Sequence, residues 1–190
     1  ERAAGIVSAS TGNHGQLLAY AGHLFNVPVT IYGPAKNANR DKVKAMRGLG
    51  AAVYLHGADF DEAREEAGRV AAQNGARFVH SANERALIAG VGVMGLELFD
   101  DQPDIEVVIV PVGGGSGVCG NALVAKAQAP ACYRAWKAGR LDVDSSMETR
   151  HEGVATRVPF QMTMDLMWQW VDDFVLVDDA EIDHAMRLLA

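Results

Sequence analysis

The chain has 190 residues, of which 49% are hydrophobic and 22% are charged, so it is long and apolar enough to bury a core. Its formal net charge of -7 argues against nucleic acid or an anionic membrane surface as the main partner. No apolar run approaches the roughly 18–20 residues that a membrane span needs. The two cysteines provide neither a disulfide framework nor metal-ligand spacing. These properties predict a soluble cytoplasmic protein.

Apolar runs of strand length alternate with helical patterns through the first two thirds of the chain. The predicted elements, in chain order, are a strand at 6–9, a helix at about 13–25, a strand at 27–32, a helix from the Asn39 cap to Arg47, a strand at 52–55, a helix from Asp59 to Asn74, a strand at 77–80, a helix at about 85–99, a strand at 105–110 and a helix from the following glycines to about 128. Strict alternation with apolar strands indicates parallel sheets joined by crossover helices. We expect the strand at 105–110 to belong to a second sheet.

The alternation is predicted to fail after Lys126. Residues 129–139 indicate helix and loop with no preceding strand, and 147–159 indicate irregular structure. A helix at 162–171, a short strand at 174–177 and a helix from 181 follow. A doubly wound sheet should not omit a strand in this way. We therefore expect part of a longer protein, incomplete at both ends and after about residue 128.

The first candidate site is the segment 10–16, Ser-Thr-Gly-Asn-His-Gly-Gln, between the first strand and the first helix. Backbone N–H groups at the start of a helix point outward and attract anions. The segment also fits an ordinary capped turn, because Ser, Thr and Asn are favoured caps and glycine permits a tight turn. Both interpretations stay open for this segment alone.

The second candidate site is the segment 111–117, Pro-Val-Gly-Gly-Gly-Ser-Gly. Consecutive glycines let successive N–H groups surround a phosphate, and the alternative is a flexible turn. The pattern is not G-x-x-x-x-G-K-[ST], and no acidic residue ends a strand about 20 residues later, which disfavours P-loop and dinucleotide sites. Together the two loops predict a phosphorylated ligand at one and a carboxylate at the other, facing each other across a cleft.

Three ordered segments carry a resemblance to a known family. The strings S-A-S-T-G-N-H-G-Q, V-H-S-A-N-E and V-P-V-G-G-G-S-G resemble the fold-type II pyridoxal-phosphate enzymes, and among them the serine/threonine dehydratases (ammonia-lyases), with serine racemase as a near relative. The resemblance implies an α/β fold of two doubly wound domains with mainly parallel sheets, similar to tryptophan synthase β. Residues 1–84 would form the small domain with the first loop, and residues 85–190 part of the large cofactor-phosphate domain.

The resemblance also implies a cofactor, pyridoxal 5′-phosphate, and roles for particular residues. The cofactor phosphate would be held by the backbone amides of Gly113, Gly114, Gly115, Ser116 and Gly117. The substrate α-carboxylate would be received by Ser10, Thr11, Asn13 and His14. Asn13 would also bond the 3′-oxygen of the cofactor, and Gly153 would lie along its ring. The implied reaction converts L-serine, L-threonine or a related 3-hydroxy amino acid to a 2-oxo acid and ammonia, in a homodimer.

The sequence departs from the family pattern in several places. The Schiff-base lysine lies in a Ser-Phe-Lys-x-Arg-Gly stretch in the family, and the 190 residues contain no such stretch, so we assign no catalytic lysine. The Ser-Gly-Gly-Asn-like loop that faces the pyridine nitrogen is also absent. Ala131 stands near the position of a metal-binding carboxylate in relatives, so no metal site is predicted. Thr11 occupies the position of the second-face acid/base serine of serine racemase, which favours dehydration over racemisation.

Three functional hypotheses follow. The first is an ammonia-lyase acting on a free 3-hydroxy amino acid, and the second is an amino-acid racemase of the same fold. The third is a catalytically incomplete fragment or a non-covalent phosphate-binding module, motivated by the missing lysine motif.

Overall fold

The computed structural model describes residues 3–36, 38–106, 108–120, 124–126, 131–142, 149, 151, 154 and 156–189. The chain divides into two compact units, Glu1–Ser81 and Ala82–Ala190. The division lies three residues before the predicted one at 84/85, and the roles assigned to the two parts stay predictions. No helix in the described ranges is long and apolar enough to cross a membrane.

The first unit contains a four-stranded parallel sheet. Its strands are β1 (Ile6–Ala9), β2 (Val29–Gly33), β3 (Ala52–Leu55) and β4 (Arg77–Phe78). Their order across the sheet is β3-β2-β1-β4, so β2 and β3 extend to one side of β1 and β4 lies on the other. This reversal of order beside β1 is the arrangement of a doubly wound sheet. The prediction of parallel strands is confirmed in this unit.

The helices of the first unit begin and end at local signals in the sequence. They are α1 (Asn13–Phe25), α2 (Arg40–Gly48) and α3 (Phe60–Asn74). The Asn39 side chain accepts hydrogen bonds from the first amides of α2, and the Asp59 side chain accepts from the Glu62 amide at 2.9 Å. Gly75 ends α3 with φ 65°, a left-handed conformation that favours glycine. The predicted Asn39 cap and the predicted limits of the helix from Asp59 to Asn74 are therefore confirmed.

A close contact between α1 and β2 holds the start of the first unit together. A Cβ at Gly22 would collide with the Val29 side chain and come within 2.8 Å of the Val27 carbonyl oxygen. Ile31 of β2 is fully buried, and Met46 of α2 is 1% exposed. The first loop is therefore carried by a helix that the core holds against the sheet.

The second unit contains a three-stranded parallel sheet. Its strands are β5 (Pro111–Val112), β6 (Val124–Lys126) and β7 (Leu176–Val177), in the order β5-β6-β7. Its helices are α4 (Arg85–Asp101), α5 (Ser116–Gly120), α6 (Ala131–Ala138), α7 (Gln161–Trp170) and α8 (Asp179–Leu189). Met164 and Met167 of α7, together with Ala135 of α6, form the most deeply buried part of its core.

The predicted strand at 105–110 is wrong. The strand of this region is β5, and the described residues of 105–110 form no strand. Ile109 is 70% exposed. The pairing of β5 with β6 includes only Pro111 and Val112, so the apolar residues before Pro111 have no partner strand in the described part of the chain. A continuous apolar run predicts burial, but backbone pairing decides where a strand forms.

The predicted absence of a strand before the helix at 131 is also wrong. Strand β6 lies where we expected a helix reaching about residue 128. Ala125 pairs with Val112 on one side and with Leu176 on the other. The alanine-rich sequence favours a helix, and pairing to two parallel neighbours that are distant in the sequence overrides this preference.

Candidate functional site

The first loop lies where the strand order of its sheet reverses. It follows β1, which is flanked by β2 on one side and β4 on the other. In open α/β sheets, ligands bind outside the carboxyl ends of the strands at this switch point. The position of Ser10–Gly15 is therefore that of a ligand-binding loop, which favours the anion-site interpretation over an ordinary capped turn.

Ser10 holds the turn from within. Its side chain is buried, with 5% exposure, and its Oγ accepts hydrogen bonds from the amides of Gly12 at 3.0 Å and Gly15 at 2.9 Å. These bonds satisfy two donors that the start of a helix would otherwise leave open. The predicted contact of Ser10 with a carboxylate stays a prediction, and the observed contacts show that the residue shapes the loop.

Two neighbouring amides remain open at the start of α1. The Gln16 amide donates to the Gly12 carbonyl at 3.1 Å, and Gly15 donates to Ser10. In the described part of the chain, nothing accepts from the amides of Asn13 and His14. The first turn of α1 contains no acidic residue. Adjacent open N–H groups at the positive end of a helix dipole form a site for a small anion such as a carboxylate.

The side chains of Thr11 and Asn13 are accessible to a ligand. Asn13 is exposed and Thr11 is half-buried. Neither side chain makes a hydrogen bond within the ranges that the structure describes. An amide and a hydroxyl beside open main-chain donors can bind both an anion and a neighbouring oxygen.

The His14 ring points back into the protein. Its Nε2 lies 3.0 Å from the Oγ of Ser8, which in turn donates to the Val79 carbonyl at 2.6 Å. Burial lowers the pKa of His14 from 6.5 to about 4, so the ring is neutral at pH 7. Ser8 is fully buried in β1, and the sequence analysis assigned it no role. Its signal was a single polar residue inside the apolar strand Ile-Val-Ser-Ala.

The second loop is held through its carbonyl groups. The Gly114 carbonyl accepts from Thr163 Oγ1 at 3.0 Å, and the Gly113 carbonyl accepts from Cys132 Sγ at 3.1 Å and Thr156 Oγ1 at 3.3 Å. In a trans peptide the next N–H points opposite to the carbonyl. The amides of Gly114 and Gly115 are therefore directed away from these side chains, and no group in the described ranges accepts from them.

Two positions in the second loop require glycine. Gly115 has φ 92°, and a Cβ there would lie 2.8 Å from the Thr163 Cβ. A Cβ at Gly114 would lie 2.7 Å from the Ala82 Cβ and 3.1 Å from the Phe160 ring. Two consecutive outward amides on a backbone of this kind form a concave cradle for anions. The loop therefore fits a phosphate group. Its other predicted contributors, Ser116 and Gly117, lie in the first turn of α5.

Part of the support for the second loop comes from helix α7. Asn83, within the V-H-S-A-N-E string, accepts through Oδ1 from the Met162 amide at 3.0 Å and so caps the start of α7. Helix α7 then supplies Thr163, whose hydroxyl also lies 3.1 Å from the Phe160 carbonyl. Sequence reasoning missed Thr156, Thr163 and the thiol of Cys132. No local pattern could have found them, because they lie 19 to 49 residues from the carbonyls that they contact.

The two cysteines behave as packing residues, Cys132 buried and Cys119 half-buried. Burial raises the pKa of Cys119 to about 11 and that of Cys132 to about 12, so both thiols are neutral at pH 7. The Cys119 thiol contacts the Thr163 carbonyl at 3.5 Å. This environment is that of a small packing residue.

One predicted site residue, Gly153, lies outside the described residues. The described residues contain no group of three or more His, Cys, Asp or Glu side chains that could hold a metal ion. The predicted absence of a metal site stays a prediction.

Comparisons with known proteins were made for the whole chain. A family model described as "Pyridoxal-phosphate dependent enzyme" matches residues 1–190. The L-threonine ammonia-lyase of Thermotoga maritima is 38% identical over 202 residues, which cover 100% of this chain and 50% of that protein. The processed form of threonine deaminase isoform 2 from Solanum lycopersicum has a TM-score of 0.87 at 28% identity, covering 98% of this chain and 58% of that one. Maize serine racemase also has a TM-score of 0.87 at 28% identity, covering 98% of this chain and 60% of that one.

The match covers nearly all of this chain but only part of each relative. The chain spans about half the length of the curated relatives it matches, 50% of one and 58% of another.

Proposed function

Because the chain belongs to the family of pyridoxal-phosphate dependent enzymes, we propose that it is part of an ammonia-lyase that converts L-serine, L-threonine or a related 3-hydroxy amino acid to a 2-oxo acid and ammonia. The observation that carries the proposal is the first loop, where two open amides stand beside Thr11 and Asn13 at the switch point of a parallel sheet. The similarity to a threonine ammonia-lyase supports the choice of reaction.

In this proposal the second loop holds the cofactor phosphate. The amides of Gly114 and Gly115 bind its oxygens, while Thr163, Thr156 and Cys132 keep the peptide planes turned in the required direction. Phosphate oxygens accept several hydrogen bonds at once, so a rigid pair of donors binds them without further ordering of the backbone. The cofactor, when bound, supplies an electron sink for negative charge at the substrate α-carbon.

The first loop receives the α-carboxylate of the amino acid. The main-chain N–H groups of Asn13 and His14 bind its oxygens, and the helix dipole of α1 adds to the attraction. The Asn13 side chain is exposed and is free to bind an oxygen of the cofactor ring. Fixing the carboxylate orients the bonds at the α-carbon, which selects the one that reacts.

The alternative reaction is racemisation, which the similarity to maize serine racemase favours. Thr11 supports dehydration instead, because a threonine hydroxyl is bulkier and more restricted at χ1 than a serine hydroxyl. We also propose that the whole protein is cytoplasmic and forms a homodimer.

The test uses the complete protein that contains this chain, incubated with pyridoxal phosphate and with L-serine, L-threonine or other 3-hydroxy amino acids. Formation of a 2-oxo acid and of ammonia in equal amounts supports the proposal. Formation of the D-amino acid without a 2-oxo acid identifies a racemase. No turnover of any 3-hydroxy amino acid by protein that binds the cofactor would contradict the proposed function.

Matched variants of the first loop separate the roles of its members. Asn13→Ala removes an exposed side chain and leaves the main-chain amides in place, so it should weaken cofactor binding more than carboxylate binding. Thr11→Ser keeps the hydroxyl and removes the methyl group beside it. The change should raise any racemase activity relative to 2-oxo acid formation. A Thr11→Ser variant with an unchanged ratio of the two products would show that Thr11 does not select the reaction.

A further inference from the structure

We propose that Ser8 is a positioning residue that holds the His14 ring in its Nε2–H tautomer, so that the first loop offers main-chain amides rather than an imidazole N–H to an anion. Only the identification of that anion as the substrate carboxylate rests on the proposed function. The tautomer itself does not depend on the reaction.

The single proton of the Ser8 hydroxyl decides which atoms donate in this cluster. A serine hydroxyl carries one proton, and Ser8 Oγ lies 2.6 Å from the Val79 carbonyl oxygen and 3.0 Å from His14 Nε2. Two oxygens at 2.6 Å repel each other unless a proton lies between them. The Ser8 proton therefore belongs to the bond with Val79. The contact with His14 then requires that Nε2 carries a proton and donates it to Ser8.

The bond to Ser8 decides what the rest of the His14 ring can donate or accept. A neutral imidazole carries one N–H, and here that N–H is directed to Ser8. Nδ1 is then an acceptor and cannot donate to a carboxylate. Burial keeps the ring neutral at pH 7. The only donor that His14 can offer to an anion is its main-chain amide in the first turn of α1.

Ser8 also connects three elements of the first unit. Ser8 belongs to β1, Val79 immediately follows β4, and His14 lies in the first turn of α1. The two bonds through Ser8 therefore join the helix start to both strands at the switch point. Within the same unit, His80 is the titratable group that interacts electrostatically with His14, and the Arg64 charge also acts on His80. Ser8 fixes the direction of the helix start, and with it the direction of the open amides of Asn13 and His14.

The test is nitrogen NMR of the complete protein labelled with ¹⁵N-histidine at pH 7, with the His14 signals assigned by comparison with His14→Gln. We expect a proton-bearing Nε2 and a pyridine-type Nδ1 in the wild-type protein. In Ser8→Ala the single tautomer should become a mixture of comparable populations, and Ser8→Thr, which keeps a hydroxyl, should restore Nε2–H. The control Ser10→Ala removes the serine hydroxyl of the loop, which accepts from the Gly12 and Gly15 amides, and should leave the tautomer unchanged.

A wild-type His14 with the proton on Nδ1 would overturn the inference, and this measurement needs no variant to fold. A folded Ser8→Ala protein that keeps pure Nε2–H would overturn the role of Ser8. An Nε2–H tautomer in a protein that forms no 2-oxo acid would leave the inference standing while the proposed function fails.

Discussion

Within the described residues, the loop after β1 and the loop after β5 each leave two backbone amides without an acceptor, but different kinds of group hold the two loops. In the first loop, side-chain oxygens accept from the backbone: Ser10 accepts from Gly12 and Gly15, and both partners lie within five residues. In the second loop, distant side chains donate to backbone carbonyls, and Thr163 reaches Gly114 across 49 residues. A local turn can therefore be recognised in the sequence, whereas a loop that is held from a distance shows only its glycines.

The largest loss of stability should follow when a side chain is added at Gly115 of the second loop. Gly115→Ala places a Cβ at φ 92° and 2.8 Å from the Thr163 Cβ, so both backbone strain and overlap oppose it. We expect unfolding to become easier by about 3 kcal/mol or more, together with loss of phosphate binding. Urea unfolding and phosphate titration measure the two effects.

The matched control for this prediction is Gly90→Ala in helix α4. A Cβ at Gly90 meets nothing within 4 Å. Alanine should therefore stabilise the protein by up to about 1 kcal/mol. Equal stability of the two alanine variants would show that the second loop tolerates a side chain.

The end of the first sheet that carries His14 and His80 should be more sensitive to acid than the second loop. Burial lowers the pKa of His14 and of His80 to about 4, with a further contribution from Arg64 at His80, while the ordinary value is 6.5. Between about pH 6.5 and about pH 4 the unfolded chain therefore binds more protons than the folded one, and stability falls as the pH falls. We expect a loss on the order of 2 kcal/mol for each ring across this window.

The measurement compares urea unfolding at several pH values for the wild type and for a variant with both His14→Gln and His80→Gln. Other groups titrate in both proteins, so the difference between the two pH profiles isolates the rings. Parallel profiles of the two proteins would contradict the assigned direction of the pKa shifts.

A smaller loss is expected when the hydroxyl of the first loop is removed. Ser10→Ala leaves the amides of Gly12 and Gly15 without their acceptor inside a buried turn. The free energy of unfolding should fall by about 1–2 kcal/mol. The comparison is Asn39→Ala, which removes an exposed cap of α2 and should have the smaller effect of the two. A larger loss for Asn39→Ala would show that Ser10 does not hold the turn.

The smallest change in stability should follow from Thr163→Val, which keeps the shape of a fully buried side chain and removes its hydroxyl. The Gly114 carbonyl loses its donor, and we expect a loss of about 1 kcal/mol. The free energy of phosphate binding should fall by more than the free energy of unfolding does. The reason is that the peptide plane that directs the Gly115 amide is no longer held. Isothermal titration with inorganic phosphate checks this, and unchanged affinity would remove Thr163 from the support of the loop.

The sequence by itself determined the helix boundaries that depend on neighbouring residues. The Asn39 cap and the limits of the helix from Asp59 to Asn74 could be predicted, because the residues at these helix ends act on amides or carbonyls within a few residues. The positions of the two glycine-containing segments between a strand and a helix could also be predicted, since glycine permits the tight turn that such a junction needs.

Only the tertiary structure decided which residues hold those loops and where the short strands of the second unit form. Strand β6 exists because Val112 and Leu176 supply partners on both sides of Ala125, and local propensity opposed it. Ser8 and Thr163 gained their roles in the same way, through carbonyls 71 and 49 residues away. A hydrogen bond between residues distant in the sequence depends on whether folding brings the donor and the acceptor together. A local sequence pattern carries no information about that distance.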